Sequence, residues 1–144
     1  MSPAIHIEQQ YPVPVDRLWA ELRQIDRHVN WMADAASITF QSEQREGLGT
    51  EFLCVTKVGP IKLTDVMTIT SWENERAMGV RHSGIVTGEG TFTLTAQDQN
   101  SVLSWDENLS FPWWMGGKIG EFMAKPILTA IWRGNLRRLA TFVE

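Results

Sequence analysis

Residues 104–144 read SWDENLSFPWWMGGKIGEFMAKPILTAIWRGNLRRLATFVE, and a change of hydrophobic period inside this stretch decides the fold. Before Pro112, Leu103, Trp105, Glu107 and Leu109 fall on one face at the two-residue spacing of a strand. After it, Ile119, Phe122, Met123, Ile127, Ala130, Ile131 and Gly134 follow helical spacing to the end of the sequence. Arg133, Arg137 and Arg138 stand toward the end where a helix dipole is negative. Pro126 has no N–H to donate and predicts a break in this helix near residues 124–126. From Pro126 to Phe142 the helix would still run about 25 Å, enough to cross a small domain.

Working back from that stretch, residues 50–58, 61–72, 77–82, 90–96 and 102–111 carry the β-branched and aromatic residues of antiparallel strands. The breaks between them are Gly59-Pro60, residues 73–76, the Gly-bearing residues 83–88, and residues 97–100. A further strand begins near Ile38. Upstream, residues 5–9 alternate as a half-buried strand and stop at Tyr11-Pro12-Val13-Pro14. Val15, Leu18, Trp19 and Leu22 then mark a helix with Pro14 at its first turn and Asp16 near its positive end, and residues 28–33 form a short helix or an irregular turn. One strand, one or two short helices, six strands and a long helix make an α+β chain. The sheet can bury its apolar face only by curling around the last helix, so a single helix-grip domain over residues 1–144 is expected: a curved seven-stranded antiparallel sheet wrapped around the C-terminal helix.

Composition narrows the function. The 144 residues hold 13 Lys+Arg against 17 Asp+Glu, a formal charge of -4, which argues against a nucleic-acid partner held by phosphate neutralisation. Cys54 stands alone and forms no internal disulfide, the N-terminal residues lack the pattern of a signal peptide, and no apolar run spans a membrane, so a cytoplasmic location is expected. Seven Trp are the anomaly: such side chains either fill a core or line an apolar hollow. No cofactor is implied. His6, His28 and His82 are too scattered for a metal site, the segment Gly116-Gly117-Lys118-Ile119 lacks the Walker arrangement, and Gly47-Leu48-Gly49 and Gly88-Glu89-Gly90 lack the strand-turn-helix setting of a dinucleotide fingerprint.

Several of these segments together resemble the START/polyketide-cyclase-like (SRPBCC, helix-grip) superfamily: Tyr11-Pro12-Val13-Pro14-Val15-Asp16-Arg17-Leu18-Trp19 after a first strand, Trp31, Gly47-Leu48-Gly49-Thr50, and the strand ending at Trp72. Gly88-Glu89-Gly90-Thr91-Phe92 and Trp105 before the terminal helix extend the likeness over nearly the whole chain. The resemblance implies a deep cavity for lipids, polyketides, hormones or other apolar molecules. It implies no single activity, since the superfamily includes lipid carriers, quinone-binding proteins, aromatase/cyclases and regulatory modules.

Strand parity proposes what lines such a cavity. A loop at residues 97–100 pairs Leu94 with Leu103, Phe92 with Trp105 and Gly90 with Glu107; the Gly59-Pro60 hairpin sets Phe52 opposite Met67 and Cys54 opposite Asp65. Met67 then faces His82, with Asp65 diagonal to it. His82, Gly90 and Glu107 are expected in one row, leaving room above the glycine for a ligand's polar group or a water. The expected ligand-binding residues are Trp31, Phe52, Cys54, Met67, His82, Phe92, Trp105, Glu107, Trp114, Phe122 and Ile127, with His82, Glu107 and Asp65 the candidates for acid-base work. Trp19 and Trp132 are assigned to core helix positions and Trp113 and Trp114 to the cavity rim. A lid is expected at residues 111–117 or 83–88.

Three functions follow: a binding protein for a small hydrophobic or aromatic molecule of the lipid, polyketide or quinone class, a cyclase/dehydratase-type enzyme in which His82 or Glu107 moves a proton, and a regulatory or membrane-contact module. A lid that exposes Trp would permit membrane contact, which no polybasic patch supports, and the sequence leaves the oligomeric state open.

Overall fold

A computed structural model describes residues 5–144. Strand β1 (Ile5–Tyr11) is followed by helix α1 (Val15–Leu22), a 3-10 turn at Ile25–Arg27 and a one-turn helix α2 (His28–Trp31). Strands β2 (Ala35–Phe40), β3 (Glu51–Val58), β4 (Ile61–Glu73), β5 (Ala77–Ser83), β6 (Thr87–Gln97) and β7 (Asn100–Ser110) come next, then a 3-10 turn at Trp113–Met115 and helix α3 (Gly117–Val143). The seven strands form one antiparallel sheet in the order β1-β7-β6-β5-β4-β3-β2, so the first strand closes beside the last. Each hairpin is set by its turn chemistry. Val58 pairs with Ile61 across Gly59-Pro60, where Gly59 takes φ 59°, a left-handed value that suits glycine at the first position of a tight hairpin turn.

The sheet's inner face and α3 bury one apolar core, which includes Ile7, Leu103 and Trp105 from the strands and Trp132, Leu136, Leu139 and Val143 from the helix. α1 adds Leu18, Trp19 and Leu22 to it. Polar contacts fix the helix at this end. The buried Tyr11 hydroxyl donates to the Leu136 carbonyl at 2.7 Å, and the Arg17 guanidinium donates to the Phe142 carbonyl at 3.0 Å. Asn135, fully buried, accepts the Ala33 N–H at 2.9 Å and Arg138 Nη2 at 2.6 Å, and donates to Asp34 at 2.8 Å. Trp132 Nε1 donates to the other Asp34 oxygen at 3.0 Å.

The expected break at residues 124–126 does not occur: α3 runs unbroken through Pro126. Phe122 and Pro126, the two residues whose helical hydrogen bond the ring removes, are both exposed. The neighbouring Lys125 carbonyl accepts the Thr129 hydroxyl at 2.6 Å. β2 also begins at Ala35, earlier than the Ile38 expected, and its register with β3 shifts between Ala35 and Ser37.

Candidate functional site

Between the inner face of the sheet and α3 lies a cavity of about 290 Å³. Its walls are mostly apolar because inward positions alternate with outward ones along β3 to β7: Phe52 and Cys54, Met67 and Ile69, Met78 and Val80, Phe92, Trp105 and Leu109. α3 closes it with Ala124, Ile127, Leu128 and Trp132. One wall is aromatic. The Trp105 and Trp132 rings stack with centroids 4.7 Å apart and planes 12° from parallel, and Phe92 meets Trp105 edge-on at 4.9 Å. The volume lies near the lower end of small-molecule sites.

The ionisable groups of the wall come from several elements: Asp65 from β4, His82 from β5 and Glu107 from β7, with His28 and Asp34 from α2 and the connection after it. Glu107 is buried, and its two oxygens are both engaged: Oε2 accepts His82 Nε2–H at 3.0 Å and Oε1 accepts Trp105 Nε1–H at 3.3 Å. A carboxylate can only accept, so the contact places a proton on Nε2 of His82 and leaves Nδ1 with no hydrogen bond to a described residue. Burial pulls the His82 pKa down, but the hydrogen bond to Glu107 and the charges of Glu107 and Asp65 together outweigh it and hold the imidazole above its ordinary value. Asp65 is also buried in the cavity wall, with Oδ1 lacking any hydrogen-bond partner. Desolvation raises its pKa, and the nearby His82 only partly offsets that.

Glycines make this geometry possible. β6 lies between β5 and β7, and its inward positions beside the pair are Gly88, which faces His82, and Gly90, which faces Glu107. A Cβ on Gly90 would stand 2.1 Å from Glu107 Oε2, so the carboxylate itself occupies the space that a side chain would fill. This corrects the expected row. His82 pairs with Gly88, and it is Val80 that stands beside Gly90; the imidazole and carboxylate meet directly across the two glycines, with the Glu107 carboxylate beside Gly90. A shift of two residues preserves the face of every side chain, which is why parity alone did not expose it. The pairings Phe92 with Trp105, Gly90 with Glu107, Phe52 with Met67, Cys54 with Asp65 and Met67 with His82 are as the hairpins predict.

Of the residues singled out from sequence, Phe52, Cys54, Asp65, Met67, His82, Phe92, Trp105, Glu107 and Ile127 line the cavity. Trp31, Trp114 and Phe122 do not. Trp31 is fully buried behind the wall, its ring 5.0 Å from His28 and 6.2 Å from Phe92, because α2 tucks it into the core. Trp114 sits on the exposed 3-10 turn, and Phe122 points from the outer face of α3 into solvent. His28 and Asp34 line the cavity without having been singled out. His28 shares a one-turn helix with Trp31, a spacing that carries the signal; Asp34 sits in a connection and carries none. Burial pushes His28 down to about 4, and its Nε2–H donates to the Leu22 carbonyl at 2.7 Å, so it is a neutral wall residue. Cys54 is pushed up to about 11 by burial, which leaves a thiol and not a reactive thiolate. Among the described residues no cluster of three or more His, Cys, Asp or Glu could hold a metal ion, and no helix is long and apolar enough to cross a membrane.

A seven-stranded grip around a terminal helix, enclosing an apolar hollow with a carboxylate–imidazole pair in its wall, defines a class of cavity proteins on the SRPBCC fold. The chain belongs to the family described as "Polyketide cyclase / dehydrase and lipid transport", which it matches over residues 4–144. Solved structures share the fold. TTHA0849 from Thermus thermophilus superposes with a TM-score of 0.77 at 17% identity, over 96% of this chain and 95% of that one. The di-domain ARO/CYC StfQ of the steffimycin biosynthetic pathway matches with a TM-score of 0.76 at 15% identity, over 96% of this chain and 50% of its own. Ara h 8.0201 matches with a TM-score of 0.68 at 14% identity, over 96% and 95%. No curated protein matches the sequence.

Proposed function

We propose that this protein binds a small, largely apolar molecule with one neutral polar end, held with that end against Asp65 and His82. The observation that carries the reading is the 290 Å³ hollow itself, apolar over most of its wall, with Asp65, His82 and Glu107 among its few polar groups. Burial against Phe52, Met67, Phe92 and Ile127 supplies the affinity, and the flat Trp105–Trp132 stack favours a planar or lipid-like body. Nδ1 of His82 and the unpartnered Asp65 oxygen supply orientation. A ligand carboxylate would meet the Glu107 and Asp65 carboxyl groups, so a hydroxyl or carbonyl end fits better than an acid.

The His82–Glu107 contact supports a second reading, a cyclase/dehydratase-type enzyme. An imidazole held by a carboxylate and open at Nδ1 is arranged to take or give a proton beside a ligand carbonyl, while the cavity keeps a flexible substrate folded. One pair of variants separates the two. If the protein only binds, His82→Ala and Glu107→Gln lower affinity by about tenfold or less and there is no turnover to lose. If it is an enzyme, the same changes abolish turnover by at least about a hundredfold with affinity nearly intact. Native mass spectrometry of protein purified from its own host supplies the ligand; a hollow that retains nothing and gives no tryptophan-fluorescence response to any planar alcohol, ketone or quinone rejects both readings.

A further inference from the structure

Six of the nine exposed large hydrophobic side chains among the described residues fall between residues 113 and 127: Trp113, Trp114, Ile119, Phe122, Met123 and Ile127. Trp113 is 87% exposed and Phe122 78%. Contiguous apolar surface of this kind marks a contact, whereas single exposed apolar residues need no explanation. We propose that this face, the 3-10 turn and the N-terminal half of α3, docks on the surface of an anionic lipid bilayer.

Charge identifies the occupant. α3 carries Lys118, Lys125, Arg133, Arg137 and Arg138 against Glu121 alone, whereas the chain as a whole has 13 Lys+Arg and 17 Asp+Glu, leaving eight basic and sixteen acidic residues elsewhere. Glu121, whose carboxylate accepts the Phe111 N–H at 2.8 Å, offsets one of these five cations and leaves the helix side chains with a net charge of +4. Ile119, Phe122, Met123 and Pro126 form one stripe at helical spacing, continued along the same line by the exposed Arg133 and Arg137, with Lys118 and Lys125 on its flank. An apolar half followed by a basic half suits a helix whose front sinks among headgroups while its cations meet lipid phosphates. Trp113 and Trp114 are the side chains that favour the level where chain and headgroup meet. A second copy of the protein fits less well, since a twofold contact would set two identical basic stripes against each other.

The face is continuous with the cavity. Ile127 is both exposed and part of the cavity wall, and Phe111, Met115 and Ala124 of the same segment line the cavity from behind. Docking would therefore set the α3 wall of the hollow against the bilayer. The acidic remainder of the molecule, repelled by the same surface, favours that orientation.

Flotation with vesicles tests the proposal. The protein is expected to rise with vesicles of equal parts phosphatidylcholine and phosphatidylglycerol, and far less with phosphatidylcholine alone. Phe122→Asp is expected to lower partitioning by at least about tenfold, and the double change Lys118→Glu with Lys125→Glu by about tenfold at low salt, an effect that shrinks as salt is added. The vesicle-induced blue shift of tryptophan emission should be lost when Trp113 and Trp114 are both changed to Ala. Neither Trp nor these three residues line the cavity, so ligand binding measured without vesicles checks that each variant is folded. Wild-type protein that stays with the unbound fraction overturns the proposal, as do charge-reversal variants that float like wild type. Light scattering that finds a dimer which Phe122→Asp splits would assign the face to a second copy instead, and overturn it too.

Discussion

The two halves of α3 share one helix and have opposite surroundings. Its C-terminal half buries Trp132, Asn135, Leu136, Leu139 and Val143 and is held by Tyr11, Arg17 and the Asp34 cluster. Its N-terminal half buries no residue, exposes Ile119, Phe122, Met123 and Ile127, and carries a proline. Apolar residues occur throughout, so hydrophobicity alone does not decide what is core. What decides is whether the sheet and α1 reach that stretch. They grip one half and leave the other over the hollow, which divides the helix into a firmly packed half and a loosely packed one.

The sharpest break between the halves is expected at Asn135. Its side chain satisfies the Ala33 N–H, Asp34 and Arg138 at once inside the core. Asn135→Ala removes these partners without letting water in, so the stranded groups carry their desolvation cost. A loss of about 3–5 kcal/mol in urea unfolding is expected. A loss below about 1 kcal/mol would mean that the cluster does not hold the gripped half.

His28 extends the comparison to pH, because it belongs to the closed end. An unfolded histidine takes up a proton near 6.5, whereas the buried imidazole resists until about 4. Between those values the unfolded chain binds more protons, so stability rises with pH and is lost as pH falls from about 6.5 to about 4. The loss is expected to reach about 3 kcal/mol. His28→Gln keeps a donor for the Leu22 carbonyl and removes the titration. The difference between wild-type and variant unfolding curves isolates this residue from Asp65, whose raised pKa works in the opposite direction over acidic pH. Parallel curves would rule the assignment out.

Both ends also differ in how far they could be read from sequence. The two-residue alternation fixes which face each strand residue takes, and it placed Phe92 against Trp105, Gly90 against Glu107 and Met67 against His82. Alternation is blind to a slip of two, which displaced His82 from Gly90 to Gly88 and concealed that the imidazole touches Glu107 directly. Helical spacing likewise locates a face without naming what lies opposite it. Phe122 and Ile127 read alike in the sequence, yet one points to solvent and the other borders the hollow. Trp31 was legible as apolar and not as core, since nothing local distinguishes a ring packed behind a wall from one in it. Asp34 was invisible because its role depends on Trp132 and Asn135, about a hundred residues away in the chain.

The smallest expected effect lies at the open end. Met123 is 67% exposed and belongs to the half of α3 that buries no side chain fully, so Met123→Ala should change urea stability by no more than about 0.5 kcal/mol. Leu139→Ala, in the same helix and fully buried, should cost about 2–5 kcal/mol through lost contacts and the cavity left behind. The ratio between the two is the comparison in one measurement. Hydrogen exchange adds its dynamic side: amides of residues 135–143 should open only with global unfolding, while those of residues 117–124 exchange by local opening at lower free energy. Equal protection along the helix, or a Met123→Ala cost comparable to that of Leu139→Ala, would mean that the N-terminal half is held as firmly as the C-terminal half.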